Sequence, residues 1–270
     1  PATIRRSKPG AIKSKGCVDP ILFGTRRDNM RIFGKNPVLE RLKSQPKSIR
    51  TIYVQEGHPD AGYIQKKANK WGIAVCKVPG SKIQKLARDL NTQGLVAEVE
   101  GFSYLSLDDL LQKARTDNGT VVFLDELTDP QNLGGIIRSL GCLGNFFIVL
   151  PTHHSVEVTP AVLRVACGAD NYVSVAKVAN LNQAILAAKE EGFWIAGAVV
   201  KGGQDIATAR LNFPLALVVG SEQKGIRDVI RRHLDIELSI PMAHERLSLN
   251  AAHATTIFCY EIARQRKIKI

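Results

Sequence analysis

Five short apolar runs, at residues 121–124, 146–150, 193–199, 215–220 and 235–240, punctuate the second half of this chain, with helical spacing in the stretches between them. Each is only four to seven residues long and rich in Val, Ile, Leu and Phe, the composition of a strand buried on both faces. Strands of that kind pair in parallel, and parallel pairing needs crossover helices that cover the sheet on both sides. Helical stretches over 159–168, 181–191 and 250–266 supply such cover. The expected class is α/β, with a parallel sheet running from about residue 120 to 270.

The front of the chain is organised differently. Residues 32–102 alternate helical and extended patterns on a smaller scale: 36–42, 60–71 and 81–90 helical, and 51–54, 73–78 and 95–99 extended. That predicts a small α/β domain, joined to the second by a linker over 103–119 in which Ser106 caps a helix beginning at Leu107. Residues 1–31 are rich in Lys, Arg, Ser, Gly and Pro and too poor in apolar residues for an element, so a basic disordered arm is expected.

Charge separates the same parts. The net charge is +12, and all of the excess lies in the first 101 residues, which hold 20 basic and 8 acidic side chains against 17 of each in the remainder. So uneven a split points to a polyanion held by the front of the chain, with RNA favoured over a membrane surface because the arm has no amphipathic apolar face. A merely solubilising basic surface is the plainer alternative. The five scattered cysteines form no C-x-x-C pair, which predicts reduced thiols and no zinc site. No apolar run approaches the roughly 20 residues of a membrane span. The expected setting is cytoplasmic; the lysine content and lack of amphipathicity of the arm argue against a mitochondrial presequence.

Three polar motifs sit where apolar runs end. They are Asp125-Glu-Leu-Thr-Asp-Pro-Gln-Asn132-Leu-Gly-Gly-Ile-Ile-Arg138, then Val219-Gly220-Ser-Glu222-Gln-Lys-Gly225, then Ile240-Pro-Met242 with Ser248-Leu249-Asn250. Strand ends are where α/β proteins place ligand chemistry. The glycine-rich dinucleotide fingerprint, the P-loop, the H-E-x-x-H zinc motif and the G-x-S-x-G nucleophile elbow are all missing. In order and spacing the three motifs resemble those of the SpoU (TrmH) family of RNA ribose 2′-O-methyltransferases, of the SPOUT class. Ile32-Phe-Gly-Lys-Asn-Pro-Val38 and Asn91-Thr-Gln-Gly94 resemble the two ends of the small L30e-like substrate-binding domain carried by members acting on bacterial 23S ribosomal RNA.

That resemblance implies a trefoil-knotted catalytic domain, which general rules of chain topology would not suggest. It also implies S-adenosylmethionine as cofactor, a homodimer, and 2′-O-methylation of a guanosine in large-subunit ribosomal RNA. A transfer RNA methyltransferase is the nearest variant, and a non-catalytic RNA-binding or ribosome-assembly protein is the alternative of a different class. By carry-over Val219, Gly220, Ile240, Met242 and Leu249 hold the cofactor, largely through backbone. Arg138, Asn132, Glu222, Ser248 and Asn250 form the catalytic set. A guanidinium stays protonated in nearly any protein site, so Arg138 is expected to clamp the target phosphate and stabilise a developing alkoxide rather than act as a base. Asn132, Ser248 and Asn250 are expected to orient the ribose and Glu222 to anchor a loop. Plain loop capping is the competing role for these four, a structural ion pair for Arg138, and a packed or interface position for His253.

Overall fold

A computed structural model describes residues 29–87, 91–244 and 247–266; residues 1–28 of the expected arm lie outside the described residues. The first strand begins earlier than the sequence pattern suggested. β1 (Asn29–Phe33) pairs antiparallel with β4 (Leu95–Glu100), Arg31 standing opposite Glu98 and bonding it at 3.1 Å. Polar Asn29 and Arg31 alternate with Met30 and Ile32, a half-buried pattern that a search for apolar runs passes over. Between these strands come α1 (Lys35–Ser44), β2 (Ile49–Gln55), α2 (Ala61–Asn69), β3 (Ala74–Val78) and α3 (Gly80–Ala87). The sheet order is β1-β4-β2-β3, with only β2 and β3 parallel. Ile64 and Ala68 of α2 share one core with Val38 and Leu42 of α1, whereas Ile83 and Ala87 of α3 pack on the opposite face.

The second sheet is parallel throughout its seven strands. It is built from β5 (Thr120–Leu124), β6 (Phe146–Pro151), β7 (Ser174–Val178), β8 (Trp194–Ala198), β9 (Gln204–Asp205), β10 (Leu215–Val219) and β11 (Ile236–Ser239), in the order β7-β6-β5-β10-β8-β11-β9. The alternation along each strand decides which helix covers it. Val122, Leu124, Ile148 and Leu217 face α5 (Pro130–Leu143), α6 (Pro160–Ala166) and α9 (Ala251–Gln265). Val121, Phe123, Val149 and Val218 face α4 (Leu107–Thr116), α7 (Leu181–Glu190) and α8 (Asp228–Arg231). All five expected strands are present. Ser106 caps α4 by accepting from the Asp109 amide at 3.1 Å, and α4 packs on β6 and β7.

The two parts meet through α1 and the turn after α6. Arg41 donates to Asp170 at 2.6 Å in a pair almost sealed from solvent, Tyr172 bonds Glu40 at 3.0 Å, and the apolar core runs on from one sheet to the other. Burial pushes the Asp170 carboxyl up despite the guanidinium beside it. Among the described residues Cys142, Cys167 and Cys259 are free thiols, as expected, and burial raises the Cys259 thiol. Among the described residues no helix is long and apolar enough to cross a membrane.

Candidate active site

Strand order brings the motifs together. From β5 the chain steps outward to β6 and β7, then returns to fill the other side with β8, β11 and β9, and β10 is inserted between β5 and β8. The direction of winding thus reverses between β5 and β10, and a crevice opens at their carboxyl ends. Val219 lies opposite Leu124, and the Asp125 amide donates to the Val219 carbonyl at 2.8 Å. Motif one leaves β5 here, motif two leaves β10 beside it, and motif three leaves β11 on the far side of β8.

Motif one is anchored before it becomes a helix. Asp125 is fully buried, and its carboxylate accepts from Arg227 Nε at 2.8 Å, Nη2 at 2.6 Å and the Arg227 backbone amide at 3.2 Å. That hydrogen-bonded carboxylate raises the Arg227 guanidinium further above its already high range. Asp129 then caps α5 by accepting from the Gln131 amide at 2.8 Å, with Pro130 at the first helical position. Asn132, in the first turn, is 5% exposed and donates through Nδ2 to Glu222 Oε1 at 2.8 Å. The same oxygen accepts the amide of Ala251, the first residue of α9, at 3.2 Å. One carboxylate therefore ties all three motifs and satisfies an otherwise open helix amide.

Motif two is a tight return. The Gly225 amide donates to the Ser221 carbonyl at 2.8 Å, which folds the loop back onto Gly220. A Cβ placed on Gly220 would lie 2.1 Å from the Gly225 carbonyl carbon, so only glycine fits. Motif three ends in Asn250, whose Oδ1 accepts from the His253 amide at 2.8 Å and caps α9. His253 is exposed on that helix.

Between these loops lies a cavity of about 400 Å³. Its apolar lining includes Val199, Val219, Ile240, Met242, Leu249 and Phe258, and Lys201, Glu222, Arg231 and Ser248 bring polar groups to it. Arg231 is itself held by Glu237, with Nη2 at 2.7 Å from Oε2. Seven of the ten residues singled out from sequence line this cavity: Val219, Gly220, Glu222, Ile240, Met242, Ser248 and Leu249. A second cavity of about 250 Å³ shares the Ser221–Lys224 loop and is lined by Asn132, Glu126, Asp129 and His154. Asn250 and Arg138 line neither. Arg138 lies six residues beyond Asn132, about 120° away around α5 by helical geometry; it is exposed and makes no hydrogen bond or ion pair among the described residues. Sequence reasoning missed Arg227, Lys201, Phe258 and His154. A buried aspartate in motif one calls for a cation, yet nothing local selects Arg227 over Arg231 or Arg232.

The sequence model of the SpoU rRNA methylase family matches residues 119–260, and that of the RNA 2′-O ribose methyltransferase substrate-binding domain matches 31–105. The chain belongs to the SpoU methylase family. Its relatives include YacO of Bacillus subtilis, provisionally named a TrmH family tRNA/rRNA methyltransferase, which is 36% identical over 87% of this chain and 95% of its own length. An uncharacterised tRNA/rRNA methyltransferase of Mycolicibacterium smegmatis is 34% identical over 99% of this chain and 87% of its own. Among solved structures, the SpoU methyltransferase AviRb of Streptomyces viridochromogenes is 25% identical with a TM-score of 0.74, covering 89% of this chain and 91% of AviRb. The AdoMet-bound rRNA methyltransferase of Sinorhizobium meliloti, 24% identical, has the same fold, with a TM-score of 0.75 over 90% of this chain and 89% of that one. SpoU membership places this chain among RNA methyltransferases, and both matched domains agree with the two-part architecture.

Proposed function

We propose that this SpoU protein is an S-adenosylmethionine-dependent RNA ribose 2′-O-methyltransferase whose target is a guanosine in large-subunit ribosomal RNA, working as a cytoplasmic homodimer. Residues 32–102 recognise the RNA and 120–270 carry out the chemistry, with the loops after β10 and β11 tied as a trefoil knot. The observation that supports this most directly is the convergence of three separate motif loops on one cavity at the switch point of the sheet. Its volume lies within the roughly 300–1,000 Å³ of small-molecule sites, and its mixture of apolar side chains and glycine-exposed backbone suits an adenosine with a charged tail.

When bound, S-adenosylmethionine supplies an electrophilic methyl group on a sulfonium. Val219, Ile240, Met242 and Leu249 would hold it by apolar contact and Gly220 by close backbone approach. Glu222 keeps Asn132 and the start of α9 in register, so its role is positioning. Asn132, Ser248 and Asn250 orient the ribose; placing a weakly acidic hydroxyl in line for attack contributes several kcal/mol by geometry alone. Arg138, outside its own subunit's cavity, clamps the target phosphate from the exposed α5 surface. That surface adjoins the α9 face bearing Ile257 and Tyr260, 39% and 52% exposed, which suits a second subunit.

Two measurements test the reading. Calorimetric titration with S-adenosylmethionine is expected to show binding; none at millimolar cofactor would sink the enzyme and leave the assembly-protein alternative. Mapping of ribose methylation across total RNA, with and without the gene, is expected to show one lost guanosine in large-subunit rRNA. A lost transfer RNA site would establish the second reading; the names of the relatives carry tRNA and rRNA together.

A further inference from the structure

The exposed side of α2 carries a stripe that the catalytic cavity does not use. Tyr63, Lys66, Lys67 and Lys70 fall within about 100° of arc on an ideal helix, along about 10 Å of its length. Tyr63 is 42% exposed with the Lys67 ammonium 5.9 Å from its ring centroid, and Trp71, 51% exposed, stands where the helix ends. None of these lysines makes an ion pair among the described residues. The stripe continues across the junction between the two parts of the molecule. Lys43 of α1 has the Tyr63 and Tyr172 hydroxyls within Coulombic reach, and Tyr172, from the second domain, is 59% exposed while its hydroxyl is pinned to Glu40 at 3.0 Å. Two carboxylates border this stretch, and each is neutralised: Glu40 by Lys43 at 2.7 Å and Asp60, at the start of α2, by Lys35 at 2.8 Å.

We infer that this surface is a track for an unpaired segment of RNA, whose bases stack on Tyr63 and Tyr172 and whose phosphates lie on Lys66 and Lys70. The inference deepens the proposed function and rests on it for the choice of RNA over another polyanion. Aromatic faces alternating with unpaired ammonium groups match the repeat of base and phosphate in a single strand, and every base offers a face to stack. A duplex would hide those faces and leave the tyrosines unused. Because Tyr172 belongs to the second domain, a strand on the track bridges the seam between the two parts of the molecule.

The test uses the full chain and a fluorescein-labelled, unstructured RNA oligonucleotide, with a fully paired RNA hairpin as comparison, read by anisotropy over a salt series. Tyr63→Ala and Tyr172→Ala are each expected to weaken binding of the single strand about 5- to 100-fold and to leave hairpin binding nearly unchanged. Lys66→Ala and Lys70→Ala should each lower the slope of log affinity against log salt by about 0.7. Lys85→Ala, on the opposite face of the small sheet, is the control and should cost less than either. Unchanged single-strand affinity in both tyrosine variants, equal losses on the hairpin, or an equal loss for Lys85→Ala would overturn the track. A loss for Tyr63→Ala alone would overturn its passage across the seam. Radiolabelled methyl transfer to total RNA, run in parallel, keeps the two readings separate. Transfer by the native protein with unaltered variants sinks the track alone, and the expected binding pattern without transfer sinks the proposed activity alone.

Discussion

At Gly220 the absence of a side chain decides whether motif two can close. A methyl group there would sit 2.1 Å from the Gly225 carbonyl carbon, and backbone rather than a flexible side-chain end would have to yield. Gly220→Ala is expected to cost at least about 1–3 kcal/mol of stability and to weaken S-adenosylmethionine binding tenfold or more. Thermal unfolding and calorimetric titration check both, and native affinity in the variant would remove this loop from the cofactor site. Arg138 presents the opposite case, an exposed cation with no partner among the described residues. Its replacement by alanine should change stability by less than about 0.5 kcal/mol and leave cofactor affinity intact. Methyl transfer should nevertheless fall at least about 100-fold. Unaltered turnover in a radiolabelled assay would take Arg138 out of the chemistry.

Helix α9 begins between two anchors. Asn250 caps it through the His253 amide, while Glu222 takes the Ala251 amide from the cavity side. Loss of the cap in Asn250→Ala should cost about 1 kcal/mol, and Asn250→Asp should retain it. A carboxylate cannot donate as the amide does, so Asn250→Asp is expected to fold as stably as the native chain yet transfer methyl groups at least tenfold more slowly. Denaturant melts set against turnover decide the matter. Equal turnover for native and Asp variants would assign Asn250 to the cap alone. Element boundaries were legible where apolar runs were unbroken, as in β5, β6 and β10, because burial on both faces leaves no ambiguity of period. They were illegible at the edges. β1 and β7 mix Arg31, Ser174 and Lys177 into short alternations, and β9 has two residues whose strand character exists only through pairing with β11.

Across the whole molecule, the buried Arg41–Asp170 pair links the recognition and catalytic parts, and burial works against it by raising the Asp170 carboxyl. Removing one partner strands the other charge; Asp170→Ala should destabilise the junction by about 3–5 kcal/mol. Replacing both, as in Arg41→Met with Asp170→Leu, should recover most of that loss, since an apolar contact of similar size carries no desolvation cost. Urea denaturation of the four species forms the cycle, and strictly additive losses would show that the pair is not coupled.

What sequence alone determined is local: the periods of the strands and helices, the cap at Ser106, the motifs at strand ends, and the placement of excess charge in the first 101 residues. Each of these depends on residues close together along the chain. Tertiary structure decided what came near what. Inserting β10 beside β5 joined motif one to motif two, selected Arg227 as the partner of Asp125, made Glu222 the link among the motifs, and left Arg138 outside its own cavity. Strand order is a property of the packed sheet, with partners such as Asn132 and Glu222 standing 90 residues apart. No local pattern encodes that adjacency.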